Sequence, residues 1–199
     1  MNSLYITKGN YLSAILRSNK TVFTTEDIAL LWHEPLSPKT LVRINYYVKQ
    51  GELIPLRRGI YAKDANYNKL ELATRIITPA YVSFETILAR EGVIFQFYMP
   101  IFVASYTTRQ LLVDKQVYTY RKIKQEILLN PLGVEHASET SIAVLERALL
   151  DTLYVGALSY FDNLRSVNWE LLFSILPIYT NRQLEKKVEK LFKDSQTSP

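Results

Sequence analysis

The chain has no cysteine, only two histidines, and six glycines of which none neighbours another. Without cysteine there is no disulfide, no thiolate nucleophile and no thiolate zinc site, a composition suited to a reducing compartment. His33 and His136 are too few for most histidine-based metal sites. His33-Glu34 lacks a second histidine four residues after the first, and prolines follow it closely, which excludes a zinc-protease helix. The glycines at 9, 51, 59, 92, 133 and 156 are too dispersed for a glycine-rich phosphate loop. No apolar run approaches the length a membrane helix needs, and MNSLYITKGNYLSAIL lacks the charged start and cleavage site of a secretory signal. The expectation is a cytoplasmic protein with no cofactor, no metal and no catalytic residue. Ser83 and Glu85 are conceivable as nucleophile and base, but helix capping by Ser83 accounts for them more simply. His136 beside Glu135 reads as a solvated loop histidine rather than a general base.

Among the residues that are present, charge is distributed unevenly. Up to Lys63 there are nine basic residues and four acidic ones, a net of +5, while the remainder carries fifteen of each sign. A basic module joined to a neutral body is the electrostatic footprint of a nucleic-acid binder with a second task. The chain's 199 residues, 48% of them hydrophobic, suffice for one or two cores. Two domains are expected.

The basic module has a readable order. Residues 11–17 read as a short helix with Tyr11 and Ile15 inward, joined by Leu12 and Leu16. Thr25 is placed to cap a second helix whose first turn carries Glu26 and Asp27, where the helix dipole favours acids, and whose packing stripe is Ile28, Leu31 and Trp32. Ser37 as N-cap, Pro38 at the first helical position and Gly51 at the end predict a third helix over residues 38–50. At about 100° per residue, Leu41, Ile44 and Val48 form its apolar stripe, with Lys39, Arg43, Tyr46 and Gln50 opposite. Such a polar, basic and aromatic face suits a DNA major groove. A hairpin follows, pairing residues 53–56 with 60–63 around Arg57-Arg58-Gly59. Two arginines at its tip are placed to grip phosphate or enter a minor groove; the alternative is that an exposed turn simply carries them. Helix, helix, turn, helix, hairpin is the outline of a winged helix-turn-helix over residues 1–63.

Residues 64–69 read as a linker. Beyond it, residues 70–77, 84–90 (closed by Gly92), 143–155, 168–179 and 181–193 have helical spacing, and residues 101–106, 109–113 and 117–123 read as strands. Pro131 and Gly133 mark a turn, and residues 194–199 read as a disordered tail. The expected class is α+β, with a small sheet flanked by helices over residues 70–193. Tyr118 and Tyr120 share a strand face as core residues would. With Tyr46 and Tyr47 they also suit stacking on unpaired bases, but the neutral charge of the second domain argues against single-strand binding.

Several segments resemble the AbiEi-type antitoxins, a prokaryotic family of winged-helix transcriptional repressors. GELIPLRRGIYA resembles the family's wing, AYVSFETILAREGVI its segment after the linker, and VLERALLDTLY its later helix. The segments keep family order, although Arg90-Glu91-Gly92 stands where a His-Gly pair is common. The resemblance implies a protein that binds double-stranded DNA at its own promoter, at inverted repeats, and counteracts a nucleotidyltransferase-like toxin without need of a tight complex. Carried over, the DNA-reading positions are Lys39, Thr40, Arg43, Tyr46 and Tyr47, with Arg57 and Arg58 on the wing. Glu146, Arg147 and Asp151 match the later motif. Glu146 and Asp151 point about 140° apart on a helix, and the expected role of these residues is structural, satisfying nearby backbone or strand groups. The competing function is a winged-helix protein-interaction or modifying factor without sequence-specific DNA binding.

Overall fold

A computed structural model describes residues 11–96, 98–137, 139–158 and 160–197. Lys8, counted above with the basic residues, lies outside them. The chain is a mixed α+β protein with two sheets, one of three strands and one of six. It divides into two compact units, the first ending at Ile76 and the second beginning at Ile77.

The first unit runs α1 (Tyr11–Arg17), β1 (Val22–Thr24), α2 (Thr25–Leu31), α3 (Pro38–Lys49), β2 (Ile54–Arg57), β3 (Ile60–Ala62) and α4 (Lys69–Ile76). Its strands lie in the order β1-β3-β2, all antiparallel. Strand β1 is absent from the expected order because three residues are too few for an alternating pattern to register. The cap of α2 is Thr24 rather than Thr25. Its side chain accepts from the Asp27 amide at 3.1 Å while Asp27 accepts from the Thr24 amide at 2.9 Å, a reciprocal capping box. Tyr11, Ile15, Phe23, Ile28, Trp32, Ile44 and Leu53 form one apolar core, whereas Leu16 is exposed. The hairpin turn is Arg58-Gly59, one residue shorter than expected, and Gly59 takes φ +76°.

Helix α4 belongs to this unit, so the boundary falls one helix later than residues 64–69. The buried Glu71 carboxylate explains the shift. It accepts from the Thr21 amide at 2.9 Å and the Thr21 hydroxyl at 2.6 Å, and that hydroxyl in turn accepts from the Asn68 amide at 2.8 Å. A polar residue near the start of a helix therefore fastens it to the end of the α1–β1 loop, a link between distant parts of the chain that local periodicity does not carry.

The second unit holds β4 (Ala80–Val82), α5 (Glu85–Arg90), β5 (Ile101–Ser105), β6 (Arg109–Val113), β7 (Gln116–Lys122), α6 (Gln125–Leu128), β8 (Val134–Ala137), β9 (Thr140–Ala143), α7 (Leu145–Val155), α8 (Trp169–Ile175), a 3-10 turn (Leu176–Tyr179) and α9 (Arg182–Thr197). The sheet order is β6-β7-β5-β4-β9-β8, with β5–β7 and β4–β9 parallel and the other pairs antiparallel. Six strands replace the three expected. Strand β4 has only three residues, and β8 and β9 have four each, interrupted by Glu, His, Ser and Ala, so none offers a β-branched and aromatic run as long as those of the others. Tyr118 and Tyr120 are both buried, as their shared parity requires. His136 sits on β8, not in a loop, with Nδ1 2.9 Å from the Ser141 hydroxyl.

Two local expectations for this unit are corrected. Ser83 does not cap α5. The helix begins after Phe84, whose φ of 57° is unusual for a non-glycine residue, and it has no side-chain cap. Ser83 turns inward to Asp151, and Glu85 pairs with Arg121. Helix α9 continues through the expected disordered tail to Thr197 because Phe192 packs on Trp169, ring centroids 5.1 Å apart, and anchors the last turns. Ser198 and Pro199 lie outside the described residues.

Candidate nucleic-acid interface

Helix α3 follows the expected signals closely. The Ser37 side chain accepts from the Thr40 amide, Pro38 opens the helix, and Gly51 at φ +76° ends it. Both ends of the following hairpin are tied to helices of the same unit. The amides of Glu52 and Leu53 donate to the Tyr47 carbonyl at 3.0 and 3.3 Å, and the Thr25 amide donates to the Gly59 carbonyl at 3.0 Å. Helix α3 and the Arg58-Gly59 turn therefore belong to one rigid framework of backbone bonds.

The structure rotates α3 relative to the expected amphipathic wheel. Its inward residues are Thr40, Ile44, Tyr47 and Val48, whereas Leu41 is exposed. This turns the buried face by about 50° from the Leu41, Ile44, Val48 stripe, at 100° per residue. Local polar partners drive the rotation. Thr40 is 1% exposed and its hydroxyl donates to the Pro35 carbonyl at 2.8 Å. Thr40 is therefore an anchor of the turn before α3, and its hydroxyl is not presented to a ligand. Tyr47 is half-buried against the core, its ring 6.1 Å from that of Trp32. It supports the helix from beneath.

Arg43 is also held inward. Its guanidinium pairs with Glu34, lies 4.0 Å from the Tyr11 ring centroid and 5.6 Å from that of Trp32. The Tyr11 hydroxyl donates to the other Glu34 oxygen at 2.7 Å. That hydrogen bond, with Arg43 adding to it, holds the Glu34 carboxyl below the usual carboxylate range, and the same bond raises the Tyr11 phenol. Arg43 is thereby held against its own unit by one ion pair and two ring contacts.

Lys39, Tyr46, Gln50, Arg57 and Arg58 are exposed, Tyr46 by 56%. Among the described residues no ion pair engages Lys39, Lys49, Arg57 or Arg58. The rotation also brings Val42, Asn45 and Lys49 to the outer face, with Val42 69% exposed. These three were missed because Leu41, a strongly apolar residue, pulled the expected stripe toward itself. Their signal is the spacing Lys39, Val42, Asn45-Tyr46, Lys49, which puts one residue or adjacent pair on each successive turn of a single face. Counted over the sequence, the residues to Ile76 include eleven basic and six acidic, and those from Ile77 thirteen of each, so the entire net charge of +5 belongs to the first unit.

The second unit contains the most concentrated set of buried ionisable groups. Arg147 and Asp151 on α7 are both fully buried, with Arg147 Nε 3.5 Å from Asp151 Oδ1. Asp151 accepts from the hydroxyls of Tyr81 at 2.9 Å, Ser83 at 2.8 Å and Tyr179 at 2.7 Å. Arg147 donates to the Leu132 and Ile127 carbonyls at 2.8 and 2.6 Å and twice to the Tyr81 hydroxyl. Burial pushes the Asp151 carboxyl up despite Arg147, and pushes the Tyr81 and Tyr179 phenols well above their ordinary range. Glu146 faces elsewhere and accepts from the Asn168 amide at 2.8 Å. These residues satisfy backbone and strand groups, as expected of them. Sealed from solvent, with its donors and acceptors turned on one another, the cluster holds α7, β4 and the 3-10 turn together and presents no reactive atom to a substrate. The unit also has an open cleft of about 870 Å³, lined by Phe95, Tyr160, Arg165, Trp169 and Asp194 among others. Among the described residues there is no group of three or more His, Asp or Glu side chains able to hold a metal, and no helix long and apolar enough to cross a membrane.

No protein-family model matches the chain. No curated protein matches it either.

Proposed function

We propose that this chain is a winged helix-turn-helix repressor that binds double-stranded DNA upstream of its own operon and serves as the antitoxin to a nucleotidyltransferase-like toxin. The observation that carries the DNA-binding part is the segregation of charge. All of the net +5 lies in the first unit, and the cations left without an ion-pair partner among the described residues there include Lys39 and Lys49 on α3 and Arg57 and Arg58 at the hairpin. Unpaired cations on a helix and an adjoining turn supply the phosphate attraction on which such binding depends. The order helix, strand, helix, helix, hairpin supports the reading, with α3 in the major groove and the hairpin along the backbone or minor groove. The antitoxin part is supported by the resemblance of the wing, α5 and α7 segments to AbiEi-type antitoxins.

The test is binding of the purified protein to the duplex just upstream of its gene, against a scrambled duplex of equal length, across a salt series. A preference of at least about a thousandfold at physiological salt is expected of a specific repressor. Equal, salt-labile binding to both duplexes would sink it. A nucleotidyltransferase-like reading frame beside the gene, and loss of its toxicity on co-expression, are the expected results for the antitoxin role. A second reading, docking on a protein partner, draws on the exposed Leu30, Leu36 and Leu41 of the first unit. Equal DNA binding to both duplexes would favour it.

A further inference from the structure

The outer face of α3 is charged at its ends and uncharged in the middle. Lys39 and Lys49 are ten residues apart, about 15 Å along the axis. That separation slightly exceeds the width of a B-DNA major groove, about 12 Å. Between them the face presents Val42, Asn45 and Tyr46, all exposed. Arginine, the commonest reader of guanine through O6 and N7, is missing from this face, because the single arginine of α3 is directed to Glu34 and lies over the Tyr11 ring. What remains in the middle is a side-chain amide without a partner among the described residues, an aliphatic group and an aromatic ring. A side-chain amide is the bidentate match for adenine N6 and N7, and an apolar group is the match for the thymine methyl.

We infer that α3 reads A·T base pairs, with Asn45 bonding adenine, Val42 packing on an adjacent thymine methyl, and Lys39 and Lys49 gripping the flanking phosphates. This rests on the DNA-binding reading above and goes beyond it by naming the bases and by assigning specificity to Asn45 and Val42 rather than Arg43. Tyr46 neighbours both and suits packing on the sugar or on a second methyl.

Selection of the full-length protein on a pool of random 20-base-pair duplexes, followed by base-analogue substitution in the selected duplex, tests the assignment. Replacing one adenine by 7-deazaadenine removes only N7, and replacing one thymine by uracil removes only the methyl. At one adenine, the analogue should weaken the wild-type protein about tenfold to a hundredfold and leave Asn45→Ala, already weakened by that factor, unchanged. At a neighbouring thymine, uracil should cost the wild type several-fold and cost Val42→Ala nothing further. Lys49→Ala should weaken every duplex alike. A selected core of G·C pairs, or an analogue penalty of equal size in wild type and Asn45→Ala, overturns the assignment while leaving a specific DNA binder in place. Selection that enriches no sequence at all removes the DNA-binding reading itself. Should a variant fail to fold, the two analogues on the wild-type protein alone still decide between A·T and G·C.

Discussion

The two units treat their charges in opposite ways. In the first, the ion pairs lie at or near the surface and the one buried carboxylate, Glu71, is bonded by Thr21: Asp27 pairs with Lys20 at 2.7 Å and Arg75 at 3.7 Å, Glu34 with Arg43, and the remaining cations of α3 and the hairpin point outward. In the second, the central pair is Arg147 and Asp151, fully buried and wrapped by three hydroxyls and two carbonyls. The physical consequence differs with depth. Surface ions cost little to solvate and remain free to meet an oppositely charged partner, whereas buried ions are costly to leave unpaired and so specify which elements pack together. The first arrangement suits binding, the second suits holding a fold.

The largest effect should come from breaking the buried pair. Asp151→Ala leaves Arg147 uncompensated in the interior and should destabilise the second unit by about 3–5 kcal/mol. Each unit has one tryptophan, Trp32 and Trp169, so single Trp→Phe variants allow fluorescence to follow each unit in denaturant separately. The Trp169 transition should move and the Trp32 transition should stay. Equal movement of both would dissolve the contrast between the units.

Next in size is the α2 cap. Thr24→Ala removes the side chain that accepts from the Asp27 amide, and should cost the first unit about 1 kcal/mol, read from the Trp32 transition. Arg43→Ala should cost a comparable amount, about 1 kcal/mol, through the lost Glu34 pair and ring contact, and should weaken all duplexes alike. A loss confined to one sequence would restore Arg43 as a base reader. By contrast, Arg58→Ala should leave both transitions in place and lower the slope of log affinity against log salt by about one, for one phosphate contact.

The smallest effect is a difference in acid response. Desolvation opposes ionisation of Asp27, but the Lys20 bond, the Thr24 amide and Arg75 outweigh it and its carboxyl lies below the usual value; that of Glu34 is lowered by Tyr11 and Arg43. For such groups the stabilisation is complete above the unfolded carboxylate range, about pH 4, and is lost as pH falls through the lower folded value. Asp151 has the opposite sign. Burial raises it, so protonation there favours the folded state, and the penalty for ionising it grows as pH rises from about 4 through the folded value. Between pH 5 and 3, on the order of one unit around those values, Asp27→Asn should flatten the acid loss of the Trp32 transition and leave the Trp169 transition unchanged. An unaltered acid profile for Trp32 would mean that the Asp27 pairs contribute nothing to stability.

Much of the local structure was legible in the chain. Ser37, Pro38 and Gly51 mark α3 to within a residue because capping and backbone constraints act over three or four positions. The longer strands β5, β6 and β7 announce themselves by their β-branched, leucine and aromatic residues, and the segregation of charge into the first third needs only counting. The polar strands β8 and β9 and the short β1 and β4 did not, because each is a strand only through the neighbour that pairs with it. The inward turn of Thr40 and Arg43 was likewise illegible: it depends on the Pro35 carbonyl and on Glu34 and Tyr11, and no wheel drawn for α3 alone contains them.

By itself, then, the sequence determined where helices start and stop, where positive charge collects and which chemistries are excluded, since these depend on residue identity and on neighbours a few positions away. Only the tertiary structure decided which face of α3 looks outward, that α4 belongs with the basic unit, and that Ser83, Tyr81 and Tyr179 converge on Asp151. Those outcomes join groups dozens of residues apart, and their energies arise from burying polar atoms against specific partners that only the folded chain brings within bonding distance.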